Sequence, residues 1–599
     1  MRSILACPCL LAALVCGPPA RAEGPFAIEV VDAETGRGVP LIELRTVNEI
    51  RLVTDSAGLV AFDEPGLMGR SVFFHVRGHG YEFPLDGFGN RGKALAVSEG
   101  GHARIAVRRV NIAERLYRIT GGGIYRDSLL LGRRPPTKQP ALDALVLGSD
   151  SVLEAPLGGR IFWFWGDTNR PSYPLGNFHT PTATSLPPGR GGLDPEVGVD
   201  LDYAVDADGF AAPSARMPGD GPTWLDALTV LEGPDGRERM FAAFAKVRPS
   251  METYERGLAE FDPAARKFSK VAPIPLGAPV RPFGHPFRHE AGGVDRVYFA
   301  DPYPIARVAA GSGPIADLGQ YEAYTCLLPG STLDRPDVDR EPDGSARYAW
   351  RRGAPMLDAL GQDRLVRSGV LRPGDRLFPL RDVDSGRSIL AHRGSTYWNE
   401  HRRRWVMIAV EIGGTTSHLG EVWFAEADSP IGPWVYARKV ATHDRYSFYN
   451  PKQHPSFAKG GGRTIFFEGT YTTSFSGNDA PTPRYDYNQV MYKLDLDDPR
   501  LNLPVPIYRV DGRFAPRRPG HRVAFQALER PAPETVPVGP FHVLPLGIKD
   551  PPSTTTVLYE ARGPAGPYYF VEPAGLALFG GRPVGRAWKA GTDRIMPME

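Results

Sequence analysis

One hairpin pattern recurs five times along the chain and restricts what it can fold into. Its first copy runs from Val146 to Thr168. Asp150-Ser-Val-Leu153 reads as a strand, and Pro156-Leu-Gly-Gly-Arg160 as a turn whose glycines supply the positive φ of a tight reversal. Ile161 to Trp165 is an apolar, aromatic strand ending on Gly166-Asp167-Thr168. Folded about the turn, the hairpin sets Asp150 beside Gly166 and Asp167. Ionised carboxylates against apolar surface are costly unless paired or put to use, which makes this pair a functional candidate. The plainer alternative is that each acid caps or bridges a turn.

The other second strands are Phe241 to Lys246, Val297 to Asp301, Trp405 to Glu411 and Ile465 to Glu468, each apolar and each ending on a charge. Outer turns follow at Asp206-Ala-Asp-Gly209, Asp262-Pro-Ala-Ala-Arg266, Asp428-Ser-Pro-Ile-Gly432 and Leu496-Asp-Asp-Pro-Arg500; the third segment, near Tyr321 to Leu328, is degenerate. Units of about four strands that cannot bury both sheet faces alone describe a β-propeller. The fold class is therefore all-β: a five-bladed β-propeller over residues 145–501, with a pair of β-sandwiches as the alternative. Blades of roughly 70 residues exceed the ~40–45 of a simple blade, so long loops are expected. Gly330 to Asp382, rich in proline and charge, is one of them.

Flanking regions carry the same short-strand signature. Residues 23–110 alternate between apolar strands and glycine turns, as in a β-sandwich. Residues 111–144 form a glycine- and proline-containing linker with a short helical possibility at Ile112 to Tyr117, so the units on either side should be separable. Residues 502–599 comprise a proline-rich segment and a small β module with strands at Thr555 to Glu560 and Tyr568 to Val571. Met1 to Ala22 reads as a secretory signal: Arg2, an apolar run from Ile4 to Val15, and small residues at Ala20 and Ala22. The expected location is secreted or periplasmic. Three of the four cysteines leave with that signal, and the remaining Cys326 reads as a buried apolar thiol that cannot form an internal disulfide. Lys+Arg 70 against Asp+Glu 68 leaves a net charge of +2, so no global field attracts nucleic acid or anionic membrane. No later stretch is apolar and long enough for a transmembrane segment. The oligomeric state is open.

If the aromatic strands are equivalent, Asp167, Lys246, Asp301, Glu411 and Glu468 share one level of the ring. Hairpin pairing adds His454 across from Glu468, His392 or Arg393 near Glu411, and Asp226 on the strand facing Phe244. Carboxylates, an Arg, a Lys and a His with Trp165 and Tyr471 nearby suit a sugar: carboxylates supply acid and base, and aromatic faces hold the ring. Charges at propeller strand ends also solvate rims and bridge blades, and that reading applies to any one of these residues taken alone.

A resemblance supports the same direction. Ala427-Asp-Ser-Pro-Ile-Gly-Pro-Trp434 looks like the outer-strand turn of five-bladed propeller glycosidases. Gly148-Ser-Asp-Ser-Val152 is similar to the Asp-bearing first strand that supplies a general base in several of those families. Phe164-Trp-Gly-Asp-Thr168 resembles the FGDT-type segment of DUF4185-like propeller proteins, which include endo-acting arabinan hydrolases. The N-terminal D-x-x-T-G-x-x-V-P and T-D-x-x-G series resembles transthyretin-like or carboxypeptidase-regulatory-like modules. The resemblance implies Asp150 as base and Asp167 as a tuning neighbour. It implies no acid, since the family's third-blade glutamate has no match near Asp301; Glu468 takes that place on its chemistry.

The expected function is hydrolysis of glycosidic bonds in a polysaccharide or oligosaccharide by Asp150, Asp167 and Glu468. Asp226, Lys246, Asp301, Arg393, Glu411, His454, Tyr471, Arg484 and Trp165 would bind substrate. No cofactor is required, although carboxylates and His454 could hold a structural Ca²⁺ at the centre. The alternatives are a non-catalytic carbohydrate-binding or cell-surface interaction protein and a polysaccharide lyase, for which Tyr471, His454 and Arg484 would serve.

Overall fold

The computed structural model describes residues 24–510, 513–516, 541–546, 548, 551, 555–563, 566–570 and 581–588. The signal segment, most of the proline-rich stretch and Val571 lie outside the described residues.

Five sheets, antiparallel except for one short edge strand, follow one another from residue 152 onward. Blade 1 comprises Val152–Leu157, Arg160–Trp165, Thr182–Ser185 and Asp202–Tyr203. Blade 2 comprises Thr223–Glu232, Glu238–Val247, Thr253–Asp262 and Lys267–Pro273. Blade 3 contains Phe287–Ala291, Val294–Ala300, Pro304–Ala309, Glu322–Thr325 and a fifth strand, Ala349–Arg352. Blade 4 contains Ala391–Asn399, Arg404–Glu411, Val422–Ala427 and Tyr436–Ala441, with Arg381–Asp382 along its edge. Blade 5 consists of Ser447–Gln453, Thr464–Thr472 and Asn488–Asp495, and its outermost strand is Glu114–Arg118. The long insertion is thus sewn at both ends into blades 3 and 4, with the helix Ala359–Arg367 between them.

Apolar cores prove that the sheets close into a ring. Phe162 and Phe164 of blade 1 pack on Phe244 and Phe261 of blade 2. Phe241 of blade 2 meets Phe299 of blade 3, and Tyr298 of blade 3 meets Trp405 of blade 4. Phe424 of blade 4 meets Phe467 of blade 5, and Phe466 of blade 5 meets Trp163 and Trp165 of blade 1. Period-two alternation sends neighbouring aromatics of one strand to opposite faces, so both faces of every blade are covered. Each fully buried large apolar side chain contributes about 1.5–3 kcal/mol, and five such seams hold the ring. The molecule is a five-bladed β-propeller.

Two features correct the sequence reading. Glu114–Arg118 lies where a helix was considered; it is a strand pairing Val490 with Arg118, so the presumed linker closes the last blade. Nor does the junction free the N-terminal unit. That unit has two four-stranded sheets facing each other across one apolar core. Arg115, 1 % exposed, reaches into it and donates to the carbonyls of Pro40 (3.0 Å), His79 (2.9 Å) and Leu41 (3.3 Å). Tyr485 donates to Thr54 O (2.8 Å), and Ser128 N–H and Oγ both bind Asp55 (2.6 and 2.7 Å). Leu41 and Val53 belong to the core between blades 4 and 5. Near the C-terminus are two three-stranded sheets: Val505–Val510, Arg513–Pro516 and Phe541–Val543, and Thr555–Gly563, Gly566–Phe570 and Arg582–Trp588. Among the described residues no helix is long and apolar enough to cross a membrane, and Cys326 is fully buried.

Candidate functional site

The first hairpin folds in the register Val152↔Trp165 to Leu157↔Arg160, which carries Asp150 to Gly166 and Asp167. Gly166 N–H donates to Asp150 O (2.8 Å), and Asp150 N–H to Asp167 O (3.2 Å). Glycine is required at 166, because a Cβ there would stand 1.9 Å from Asp150 Oδ1. Blade 5 supplies the other wall. The hydroxyls of Tyr449 and Tyr487 each donate to Asp150 Oδ2 at 2.8 Å. Asn450 Nδ2 donates to Ser151 Oγ (2.6 Å), and Ser151 N–H to Thr470 Oγ1 (3.0 Å). Blade 2 contributes Trp224, whose indole N–H donates to Asp167 Oδ1 (3.2 Å).

Burial raises the Asp150 carboxyl from its usual range, opposed by the two phenols. Burial and then the charge of Asp150 push Asp167 up to about 6, while Trp224 pulls the other way. Both residues are of intermediate exposure. Neither carboxylate has an ion-pair partner among the described residues. Non-glycine residues with positive φ gather here: Ser151 (41°), Ala227 (54°), Asn450 (52°), Phe475 (65°) and Tyr487 (60°). Such conformations persist only where surrounding structure enforces them, and they concentrate at working sites.

A second group stands beside it on blades 2, 3 and 4. Asp226 pairs with Ala243, one residue from the expected Phe244, and a bulge follows it. Its Oδ1 accepts from Gly284 N–H (2.8 Å) and Ala227 N–H (3.0 Å). Burial lifts it to about 6; Arg393 opposes this and Asp301 adds to it. The hairpin places Ala391 opposite Glu411, with His392 next to it; past a bulge, Arg393 pairs with Asp301, and Gly394 N–H also donates to Asp301 (3.1 Å).

The remaining candidates lie elsewhere. Glu468 is 0 % exposed and sits in mid-strand, because its strand continues to Thr472. The residue that faces the start of the first strand in blade 5 is Thr472, opposite Ser447. Glu468 therefore projects into the seam with blade 1 instead of the rim. There His454 lies between Glu154 Oε1 (Nδ1, 3.3 Å) and Glu468 Oε1 (Nε2, 3.3 Å), and Lys452 Nζ donates to Glu154 (2.9 Å). Burial would raise Glu154, but Lys452 and then His454 hold it down to about 2. Burial and Lys452 press His454 downward, yet the two glutamates raise it. The leaving-group role given to Glu468 does not suit a sealed carboxylate.

Lys246 is buried and spent on Gly221 O (2.7 Å) and Met217 O (3.4 Å). Glu411 receives both arms of Arg387 and the indole of Trp423 (3.0 Å). Tyr471 is buried against Tyr446 and binds His79 (2.9 Å). Arg484 reaches Asp127 (3.4 Å), so Tyr471, His454 and Arg484 do not converge. Trp165 is enclosed between Trp163 and Tyr203. Among the described residues no three His, Cys, Asp or Glu side chains are placed to hold a metal ion; at His454 the ammonium of Lys452 already supplies the positive charge. Tyr449, Tyr487 and Trp224 escaped the sequence reading. Trp224, two residues before Asp226 on one strand face, had a local signal; the tyrosines, some 300 residues from Asp150, had none.

No family model and no curated protein matches the sequence, so neither the DUF4185-like nor the transthyretin-like resemblance gains support. Solved structures do show similarity. The exo-β-1,3-galactanase of Phanerochaete chrysosporium, with galactose, has 11 % identity and a TM-score of 0.30 over 59 % of this chain and 61 % of that one. A thermostable family-43 glycoside hydrolase has 12 % identity and a TM-score of 0.26, over 65 % of this chain and 96 % of its own. An exo-1,5-α-L-arabinanase from a bovine ruminal metagenomic library has 8 % identity and a TM-score of 0.29, over 63 % and 99 %. The chain thus spans less than two thirds of the galactanase's length.

Proposed function

We propose that the chain is a carbohydrate-active hydrolase that cleaves a glycosidic bond of a polysaccharide or oligosaccharide at the mouth formed by Asp150 and Asp167. The observation that carries this reading is the pairing of two open carboxylates whose surroundings differ. Two phenolic O–H groups stabilise the anion of Asp150 on Oδ2, and Oδ1 lies against the Gly166 backbone without a donor from either phenol. Asp167 keeps its proton until about pH 6 through burial and the neighbouring charge. Burial raises both carboxyls, but two phenols oppose the rise at Asp150 while the neighbouring charge adds to it at Asp167, and that difference divides the roles of base and acid between them. In this scheme Asp167 protonates the leaving glycosidic oxygen, and Asp150 takes the proton of the water that attacks the anomeric carbon. Asp226, Asp301 and Arg393 then hold substrate hydroxyls. A signal at Met1 to Ala22 would deliver the enzyme outside the cytoplasm, where polysaccharides are met.

The test is a polysaccharide panel offered to the secreted chain, with reducing ends and unsaturated products read separately. Reducing ends without a new double bond are expected. Unsaturated ends would establish a lyase, and sugar binding without products a binding protein.

A further inference from the structure

The loop after Thr472 holds a feature that packing does not explain. Phe475 is 66 % exposed and adopts φ of 65°, a left-handed conformation that a bulky side chain rarely takes. Its neighbours are fastened. Ser447 Oγ donates to Ser474 O (2.6 Å), Thr473 N–H to Asp486 (2.7 Å), and Ser476 N–H to Thr473 O (3.0 Å). The ring is held out in water by a fixed backbone, which costs conformational energy and gains no burial. Among the described residues its one aromatic contact is with Tyr449, edge to face, with centroids 5.8 Å apart and planes at 76°.

That contact places it. Phe475 touches Tyr449, Tyr449 binds Asp150, Asp150 adjoins Asp167, and Asp167 binds the half-exposed Trp224. The row crosses the mouth from blade 5 through blade 1 to blade 2, with an aromatic ring at each end and the carboxylates between. Aromatic faces bind the C–H faces of sugar rings. We infer that Phe475 is a sugar-stacking platform which, with Trp224 beyond the carboxylates, gives the mouth sugar subsites on both sides of the cleaved bond, so that it selects an oligosaccharide over a single glycoside. This inference rests on the hydrolase reading for its orientation and on Phe475 itself for its binding.

The test compares the wild-type chain with Phe475→Ala, Phe475→Gly and Phe475→Trp on the sugar series that the polysaccharide panel selects, from an aryl monoglycoside upward. Both kcat/KM and calorimetric affinity are measured. Phe475→Ala should lose about three- to tenfold in kcat/KM, through KM, on the longer substrates and nothing on the monoglycoside. Phe475→Trp should restore the longer substrates. Phe475→Gly, which suits the left-handed backbone, should show the same loss with an undiminished melting temperature. A loss equal at every length, or none at all, overturns the platform. If the wild type cleaves nothing but Phe475→Ala weakens oligosaccharide binding, the hydrolase reading falls and the platform stands. If no sugar is bound or cleaved, both fall.

Discussion

Where blade 5 meets blade 1, two sets of carboxylates lie within a few residues of each other and live differently. Asp150 and Asp167 face the mouth, receive only neutral donors and are pushed toward protonation. Glu154 and Glu468 lie inside the seam, with Lys452 and His454 between them, and Glu154 is held ionised. Residue type does not separate the bracing acids from the proposed working ones in this ring; the presence of a cation and the absence of solvent do. A buried carboxylate with a cation braces the fold, and an open one without a cation is available for proton transfer.

The largest expected effect breaks the comparison by chemistry. Asp150→Asn should lower turnover by at least about 10²–10⁴-fold, the usual worth of an acid or base, while the melting temperature holds. Glu468→Gln should do the reverse, lowering the melting temperature while each folded molecule keeps its rate. Rates and melting curves for both variants decide, and an active Asp150→Asn would dissolve the distinction.

Next comes the brace. Lys452→Met leaves Glu154 and Glu468 with His454 alone, and removing one partner of a buried ion pair should cost about 3–5 kcal/mol in denaturant unfolding at neutral pH. The Glu154 contribution has a definite sign. Its carboxyl is held from 4.5 down to about 2, so that stability is present above 4.5 and lost as pH falls toward 2.

Asp167 sharpens the contrast because its sign is opposite. Raised from 3.8 to about 6, it contributes stability below 3.8 that is lost as pH rises through 6. Asp167→Asn should therefore gain about 1–2 kcal/mol of stability at pH 7, an advantage absent at about pH 4, while it loses turnover. Denaturant titrations at the two pH values measure it, and equal stability at both would show that the mouth is not strained by its charge.

The smallest effect concerns a single hydrogen bond. If Asp167 is the acid, kcat/KM should fall as pH rises through about 6. Trp224→Phe removes the N–H that favours the ionised form, so the falling limb should move upward by less than ~1 pH unit. A limb that stays in place would hand the proton to Asp226, which is also raised to about 6.

Much of this was legible in the sequence because it is local. The glycine turn at residues 158 and 159 sets the hairpin register, and the register alone brings Asp150 to Asp167. The five aromatic strands announced the ring because no isolated sheet could bury them on both faces. Glu468 misled because a charge was taken to mark a strand end. Gly469 lets the strand run on beneath the ring of Phe448, which a Cβ there would approach to 2.5 Å. Arg115 and Glu114–Arg118 were hidden for another reason: the partners of Arg115 lie 36 to 75 residues away and the partner strand lies hundreds of residues away, and nothing nearby in sequence marks a strand that closes a ring.

That closing strand has a consequence for how the protein comes into being. Glu114–Arg118 leaves the ribosome before any blade, and it must wait for Asn488–Asp495 to arrive before it has a partner strand. Asp150 waits as long, since Tyr449 and Tyr487 are among the last parts of the ring to be made. A growing chain thus carries Asp150 early but cannot complete its surroundings until the final blade is made. Any product truncated before residue 490 would lack the pairing of Glu114–Arg118, so closure of the ring waits for nearly all of it to be synthesised.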